Sequence, residues 1–386
     1  MILAVLPVSV APADDIAGLA AGSELIRDAA QQLPRGESVF SNPDRMKFTG
    51  FTQFRWQYNH RDTTPDGSDE DTWGFYVART RLQMDAKPEQ WLSTRLRATF
   101  GSNGDLALDH AFATAHLPDG WNLRFGQFAL NLFRDDMIAA QRQLAVNSSV
   151  VNALYNADKT QGIEIGKEWE KFRFWLSYND GLRTGNESFS SPRKADWAFS
   201  SRGEWQIIGN DWSRYNDYTS FRGSPLACML GIGVEVESGA QAEGTDSDFA
   251  LLYSTADVSL QGDGWNTFAS VVFVYNDISI EEEGTDWGFI LQGGYFLTDQ
   301  IEAFGRFDMI LPNQDRDGVD GNFRTVTTGV NYYISPHSHT FKLTGNALWF
   351  LDPQANSLLG AQQNLDLLPS DVDGQWGIQF QVQVVF

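Results

Sequence analysis

From Met46 to the last residue, apolar and polar side chains alternate with a period of two. In FTGFTQFRWQY, Phe48, Gly50, Thr52, Phe54, Trp56 and Tyr58 fall on one face, and Thr49, Phe51, Gln53, Arg55 and Gln57 on the other. The end of the chain repeats the pattern, with Trp376, Ile378, Phe380, Val382, Val384 and Phe386 alternating with Gly377, Gln379, Gln381 and Gln383. Successive side chains of an extended strand point to opposite sides, so each such segment is a strand with one apolar and one polar face. The pattern predicts sixteen strands, over 46–59, 72–86, 90–101, 105–117, 121–130, 158–168, 171–180, 195–208, 225–237, 247–261, 264–278, 285–297, 300–310, 321–333, 338–351 and 375–386. Most exceed the ~5–6 residues usual in globular sheets. They are long enough for the ~9–11 tilted residues that cross a bilayer.

The connections alternate as well. Pro118-Asp119-Gly120, Trp169-Glu170, Gly262-Asp263 and Ser335-Pro336-His337 are short, whereas 60–71, 131–157, 181–194, 311–320 and 352–374 are long and polar. The connection 209–224 is the exception, being long on the short-turn side. Short turns at one end and long loops at the other characterise outer-membrane barrels. Backbone groups in hydrocarbon must be paired, so a sheet that crosses a membrane has to close on itself. A water-soluble sandwich would turn the apolar faces inward, and sixteen strands of this length would make too thick a core. The expected fold is therefore all-β, a sixteen-stranded antiparallel transmembrane β-barrel over 46–386, with Trp and Tyr near the strand ends.

The segment before the barrel reads differently. MILAVLPVSVAPADD has an apolar stretch followed by Ala11-Pro12-Ala13, so residues 1–13 resemble the end of a secretory signal. Over 14–45, Ile16, Leu19, Leu25, Ala29 and Leu33 recur at helical spacing before Pro34-Arg35-Gly36. A short periplasmic amphipathic helix and a linker are expected there.

Composition narrows the function. The formal net charge is −22, from 50 acidic against 28 basic residues, which disfavours nucleic acid as a partner. A single cysteine, Cys228, excludes an internal disulfide framework and a thiolate metal cluster. The longest apolar run, Ile2 to Ala13, is broken by Pro7, Ser9 and Pro12, so no helix is expected to span a membrane. The basic residues are concentrated early, with 21 in residues 1–200 and 7 in residues 201–386.

Strand parity places many of those bases on one wall. The polar faces carry Arg55, then Arg79 and Arg81, Arg95 and Arg97, and Arg124, with Arg173 and Arg202 continuing more sparsely. Later strands place Glu235, Asp248, Asp257, Glu302 and Asp308 on the polar face, with Arg306 and Lys342 as exceptions. A basic wall facing an acidic one would hold a transverse field that orients polar solutes. The alternative is that these charges satisfy one another around a hydrated interior. The segment 131–157 mixes Val, Leu, Ile and Met with Arg134, Asp135, Asp136 and Arg142. That composition suits a loop folded inward against the wall, forming the constriction.

Several stretches resemble the phosphate-selective porin O/P family: FYVARTRLQMDAKPEQWLSTRLRATFG, HAFATAHLPDGWNLRFGQFALNLF, KTQGIEIG and FRFWLSYNDG. The family's arginine-rich second strand corresponds to Arg79 and Arg81, its GQF-type fifth strand to Gly126-Gln127-Phe128, and its sixth-strand glycines to Gly162 and Gly166. The resemblance is dense over 72–180 and looser over 46–386. It implies a trimeric sixteen-stranded porin of a Gram-negative outer membrane, with an arginine ladder drawing anions to a loop-lined constriction. Two departures stand out. The second-strand arginines are separated as Ala78-Arg79-Thr80-Arg81, and Lys342 is the sole lysine on a polar strand face in the second half.

The leading expectation is passive diffusion of small hydrophilic solutes and ions, with anion preference near the arginines and lipids around the barrel. An outer-membrane hydrolase is the first alternative. It needs a nucleophile beside a base, and none of His60, His110, His116, His337 and His339 has a serine or acid partner at motif spacing. The chain has no P-loop, EF-hand or H-E-x-x-H pattern, so neither cofactor nor metal is expected. The second alternative is a structural or adhesive barrel using the acidic loops Asp66–Asp71 and Asp315–Asp320.

Overall fold

The structure, a computed structural model, describes residues 45–62, 70–239, 249–278, 284–313, 321–353 and 373–386. The segments read as signal-like (1–13) and helical (14–45) lie outside these residues up to position 44, as do 63–69, Asp248 and 314–320. The strands are β1 (Met46–Arg61), β2 (Glu70–Glu89), β3 (Leu92–Phe100), β4 (Leu106–His116), β5 (Trp121–Ala129), β6 (Lys159–Glu168), β7 (Phe172–Asn179), β8 (Trp197–Ile208), β9 (Ala227–Ser238), β10 (Phe249–Gly262), β11 (Trp265–Ile278), β12 (Gly284–Phe296), β13 (Ile301–Leu311), β14 (Phe323–Tyr333), β15 (Phe341–Phe350) and β16 (Trp376–Val385). Each pairs with its chain neighbours, and β1 pairs antiparallel with β16, so the sheet closes into a barrel. All sixteen expected strands are present.

The faces are sorted as alternation demands. Along β9, Leu230, Ile232, Val234 and Val236 are exposed, whereas Met229, Glu235 and Glu237 between them are buried. An exposed apolar face and a buried polar one invert the usual globular order. Two irregularities change which residues face inward. On β2 the exposed apolar positions are Trp73, Phe75 and Val77 and then Leu82, a one-residue slip of the kind a bulge produces. Between β3 and β4 the register shifts at Arg97/Ala98, which leaves Asp109 without a register partner beside the pair Arg97–His110. Asp109 and His110 are both buried.

The inner face of β10–β15 is apolar in part. Tyr253, Phe268, Val272, Ile290, Phe304, Ile310, Phe323, Leu348 and Phe350 are buried there. They form one cluster with Leu132, Phe133, Leu144, Val150 and Val151 of the β5–β6 loop, residues 130–158. This loop therefore folds inward, as its composition predicts, and burying its apolar side chains at about 1.5–3 kcal/mol each is what holds it there. Two inner-face glycines let it approach. A Cβ at Gly233 would lie 2.7 Å from the Leu132 carbonyl oxygen, and one at Gly288 would lie 2.6 Å from Val151 Cγ1. Within the loop, Arg134–Met137 and Val150–Tyr155 are helical, and Ser149 Oγ accepts from the Asn152 N–H to cap the second.

Candidate conduction path

The inward loop leaves a cavity of about 750 Å³ against the β2–β7 wall. Its lining includes Arg79, Arg81, Arg95, Arg97, Arg124, Lys159 and Arg173 from the strands, and Arg134, Asp135, Asp136, Arg142 and Asp158 from the loop. Five of the six arginines expected on a basic wall thus meet in one place.

Arg81, Arg95, Arg97 and Arg124 are each oriented by an acceptor behind them. Arg81 Nε donates to Thr99 Oγ1 at 2.9 Å and lies 3.2 Å from Asp109 Oδ2. Arg97 Nε lies 3.4 Å from the same oxygen. Its Nη2 meets His110 Nε2 at 2.6 Å; because arginine only donates, that nitrogen accepts and the imidazole is neutral. Arg95 Nε donates to Asp85 Oδ1 at 2.6 Å. Arg124 Nη2 donates to Glu164 Oε1 at 2.6 Å, and its guanidinium stacks 4.2 Å from the centre of the Phe128 ring. Lys159 pairs with Asp158 and lies 3.9 Å from Asp109. Asp158 adopts a left-handed φ of 51°, and its N–H donates to Asp136 Oδ2 at 3.1 Å, tying the loop's end to its start.

The sixth expected wall residue, Arg55, sits elsewhere. It is buried under the loop, where it donates to Asn147 Oδ1, the Val146 carbonyl and Gln381 Oε1. It anchors the loop instead of lining the cavity. The acidic side of the expected field is also displaced. Asp257 accepts both 2.8 and 3.0 Å bonds from Arg202, which also donates to Glu204 and to the Leu132 carbonyl. Asp308 accepts from Arg306, whose other nitrogens hold the Asn147 and Ser148 carbonyls. Glu302 accepts from Tyr333, Asn331 and Asn266. Glu235 accepts from Asn179 on the inner wall. None of these carboxylates lines the cavity. The reason is the apolar seat on β10–β15: the loop covers that half of the barrel, and Asp257, Asp308 and Glu302 become acceptors for its anchors Arg202, Arg306 and Asn331. Lys342 does the same work, donating to the Gln143 carbonyl at 2.8 Å.

The four loop residues expected at the constriction divide. Arg134 and Asp135 are buried; Arg134 approaches Glu204 at 3.5 Å, and Asp135 accepts from Ser149 and Tyr218. Asp136 and Arg142 stay partly exposed at the cavity. Among the described residues the lining therefore carries nine cationic side chains and three carboxylates, and five more carboxylates (Asp85, Asp109, Glu164, Glu168 and Glu204) pair directly with it. An excess of one positive charge remains, within a chain whose formal charge is −22.

Sequence reasoning did not single out Asp85, Asp109, Asp158, Lys159 or Glu164 at this site. Glu164 was legible from parity, since it pairs with Arg124 across β5–β6. Asp109 was not, because its inward orientation depends on the bulge. The structure also joins Ser93, His116 and Asn122, which spacing had left apart: Ser93 Oγ lies 3.0 Å from His116 Nε2, and Asn122 Oδ1 lies 2.7 Å from Nδ1.

The sequence matches the family described as phosphate-selective porin O and P over residues 49–349. Its fold is similar to the anion-selective porin from Comamonas acidovorans (11% identity, 88% of this chain and 100% of that chain, TM-score 0.61). It is also similar to the outer membrane channel DcaP of Acinetobacter baumannii (13% identity, 88% and 97%, TM-score 0.58). OmpT of Vibrio cholerae in its trimer form is a further neighbour (12% identity, 89% and 100%, TM-score 0.56). No curated protein matches. The molecule is a passive-diffusion channel of a Gram-negative outer membrane, and the chain belongs to the phosphate-selective porin O and P family.

Proposed function

We propose that this porin prefers anions, and that its narrowest passage lies between Arg81 and Arg97 on the wall and Asp136 and Arg142 on the loop. The observation that carries the reading is the cationic excess of the cavity in an otherwise acidic chain. Arg79, Arg81, Arg95, Arg97 and Arg124 lie on adjacent strands, within about a Debye length of one another, so they attract an anion collectively. Acids elsewhere on the molecule are screened or already paired. Bilayer reversal potential in a potassium chloride gradient tests this: the sign should report anion selectivity, and a cation-selective potential would refute it.

The same reading places the short-turn end in the periplasm, surrounds the apolar outer face with lipid, and assembles the channel as a homotrimer. The outer face offers a trough of about 700 Å³ whose lining includes Phe54, Trp56, Phe75, Tyr332 and Phe380 with Gly345 and Ala347. An apolar surface with small residues of this kind suits barrel–barrel contact. Light scattering of detergent-purified protein should give three chains per particle.

A hydrolase is the second reading, favoured by the Ser93–His116–Asn122 line. Catalysis would further require donors placed where a developing oxyanion sits. Ser93 is held within β3, opposite Thr114. We read the three as a hydrogen-bonded cluster at the barrel rim, and a fluorophosphonate probe should leave Ser93 unlabelled.

A further inference from the structure

The β8–β9 connection, residues 209–226, is long where its counterparts are short turns, and it does not hang outside the barrel. Trp212 Nε1 donates to the Trp169 carbonyl at 2.8 Å beside β7, where Arg173 stacks 4.4 Å from the Trp212 ring centre. From there the segment runs to the far side. Asp217 Oδ2 meets His339 Nε2 at 2.6 Å in the β14–β15 turn, Thr219 Oγ1 meets Tyr333 OH at 2.9 Å, and Phe221 packs on Phe296 and Tyr333. In a ring of sixteen strands, β7 and β15 stand opposite one another. The segment is therefore a strap across the short-turn mouth.

It also reaches the loop above it. Tyr218 is buried, its ring 5.0 Å from that of Phe268, and its hydroxyl donates to Asp135 Oδ1 at 2.7 Å. Arg142 Nη1 donates to the Asn216 carbonyl at 3.3 Å, and exposed Asn216 lines the cavity. Strap and loop thus share one hydrogen-bonded seam, and the open part of the mouth is left beside the arginine wall.

We propose that this strap is the second wall of the permeation path: Asn216 faces passing solute at the exit of the constriction, and Tyr218 positions the loop through Asp135. The proposal rests on the channel reading and adds a periplasmic element to it. A solute leaving the arginine wall would pass Asn216 next, so this position should act on conductance and on charge selection together.

The test uses full-length Asn216→Cys in a Cys228→Ser background, recorded in planar bilayers during addition of charged methanethiosulfonates. The expected result is a fall of about a third or more in single-channel conductance with either reagent, because added volume narrows the path. The reversal potential should also move toward anions with the trimethylammonium reagent and toward cations with the sulfonate. Tyr218→Phe keeps the ring on Phe268 but loses the bond to Asp135, and should raise open-channel current noise without lowering the temperature of barrel unfolding. Failure of the Asn216→Cys thiol to react, or its reaction with unchanged current, would overturn the assignment of Asn216. Unchanged noise in Tyr218→Phe would overturn the positioning role. Absence of conductance in the unsubstituted protein would instead count against the channel reading itself.

Discussion

Asp109 is the carboxylate on which the basic wall turns, which makes Asp109→Asn the most informative single change. Its Oδ2 lies 3.2 Å from Arg81 Nε and 3.4 Å from Arg97 Nε, and it accepts from Thr99 at 2.5 Å. The amide keeps an acceptor for Thr99 and removes one negative charge. A unit charge about 6 Å from a passing ion is worth about 0.7 kcal/mol in water, and screening over about 8 Å lowers this to about 0.3 kcal/mol. The effect has opposite sign for the two ions of a salt, so the anion-to-cation permeability ratio should rise about 3-fold or more, since a confined lumen has a lower effective dielectric. Arg81→Ala removes a positive charge from the same pair and should move the ratio the other way. Both are read as reversal potentials in a salt gradient, on protein whose barrel stays resistant to detergent before heating. Variants that move the potential in the same direction, or leave it unchanged, would refute the claim that this cluster sets selectivity.

Three further outcomes follow from contacts away from that cluster. Arg202→Ala leaves Glu204 and Asp257 buried without their main cation, and should cost about 3–5 kcal/mol, read as a lower temperature for the heat-induced gel shift; adding Asp257→Asn should recover part of it. Gly288→Val places a side chain where Val151 already packs, so the loop should lift and single-channel conductance should rise. Cys228 pairs with Ile208 and Leu260 on the outward side of β9, between exposed Leu226 and Leu230. It should resist membrane-impermeant thiol reagents in intact outer membranes, and rapid labelling would shift that strand by one residue.

The strands were legible because period-two alternation is a backbone property that tertiary context rarely overrides once one face meets lipid. Two kinds of feature were not. Bulges leave no mark in the alternation until faces are known, so Asp109 and His110 could not both be turned inward from the sequence. The expected acidic wall failed for a different reason. Parity correctly places Asp257, Glu302 and Asp308 on the inner face, but it is silent on what stands in front of them. A signal was present: β11 carries Phe268, Val272 and Val274 on the face that also holds Asn266 and Ser270. Apolar residues on the lumen side have no reason to exist beside water. They mark a seat, and the loop rich in Val, Leu and Ile is what fits it.

That seat also explains why net charge is a poor guide to the charge that lines the cavity. Residues 201–386 hold 25 acids and 7 bases, yet this half contributes few charges to the open path. Its inward carboxylates accept hydrogen bonds from Arg202, Arg306 and Tyr333 around the buried loop. A carboxylate spent in this way is compensated within a few ångströms and exerts little field at the cavity. The early strands carry the opposite arrangement. Their arginines are oriented by Asp85, Asp109 and Glu164 from behind, while the guanidiniums still border solvent. The field a solute meets is therefore set by which charges remain uncovered after the loop has docked, and docking is decided by apolar packing on β10–β15. Hydrophobic contacts on one side of the barrel thus determine the electrostatics of the other.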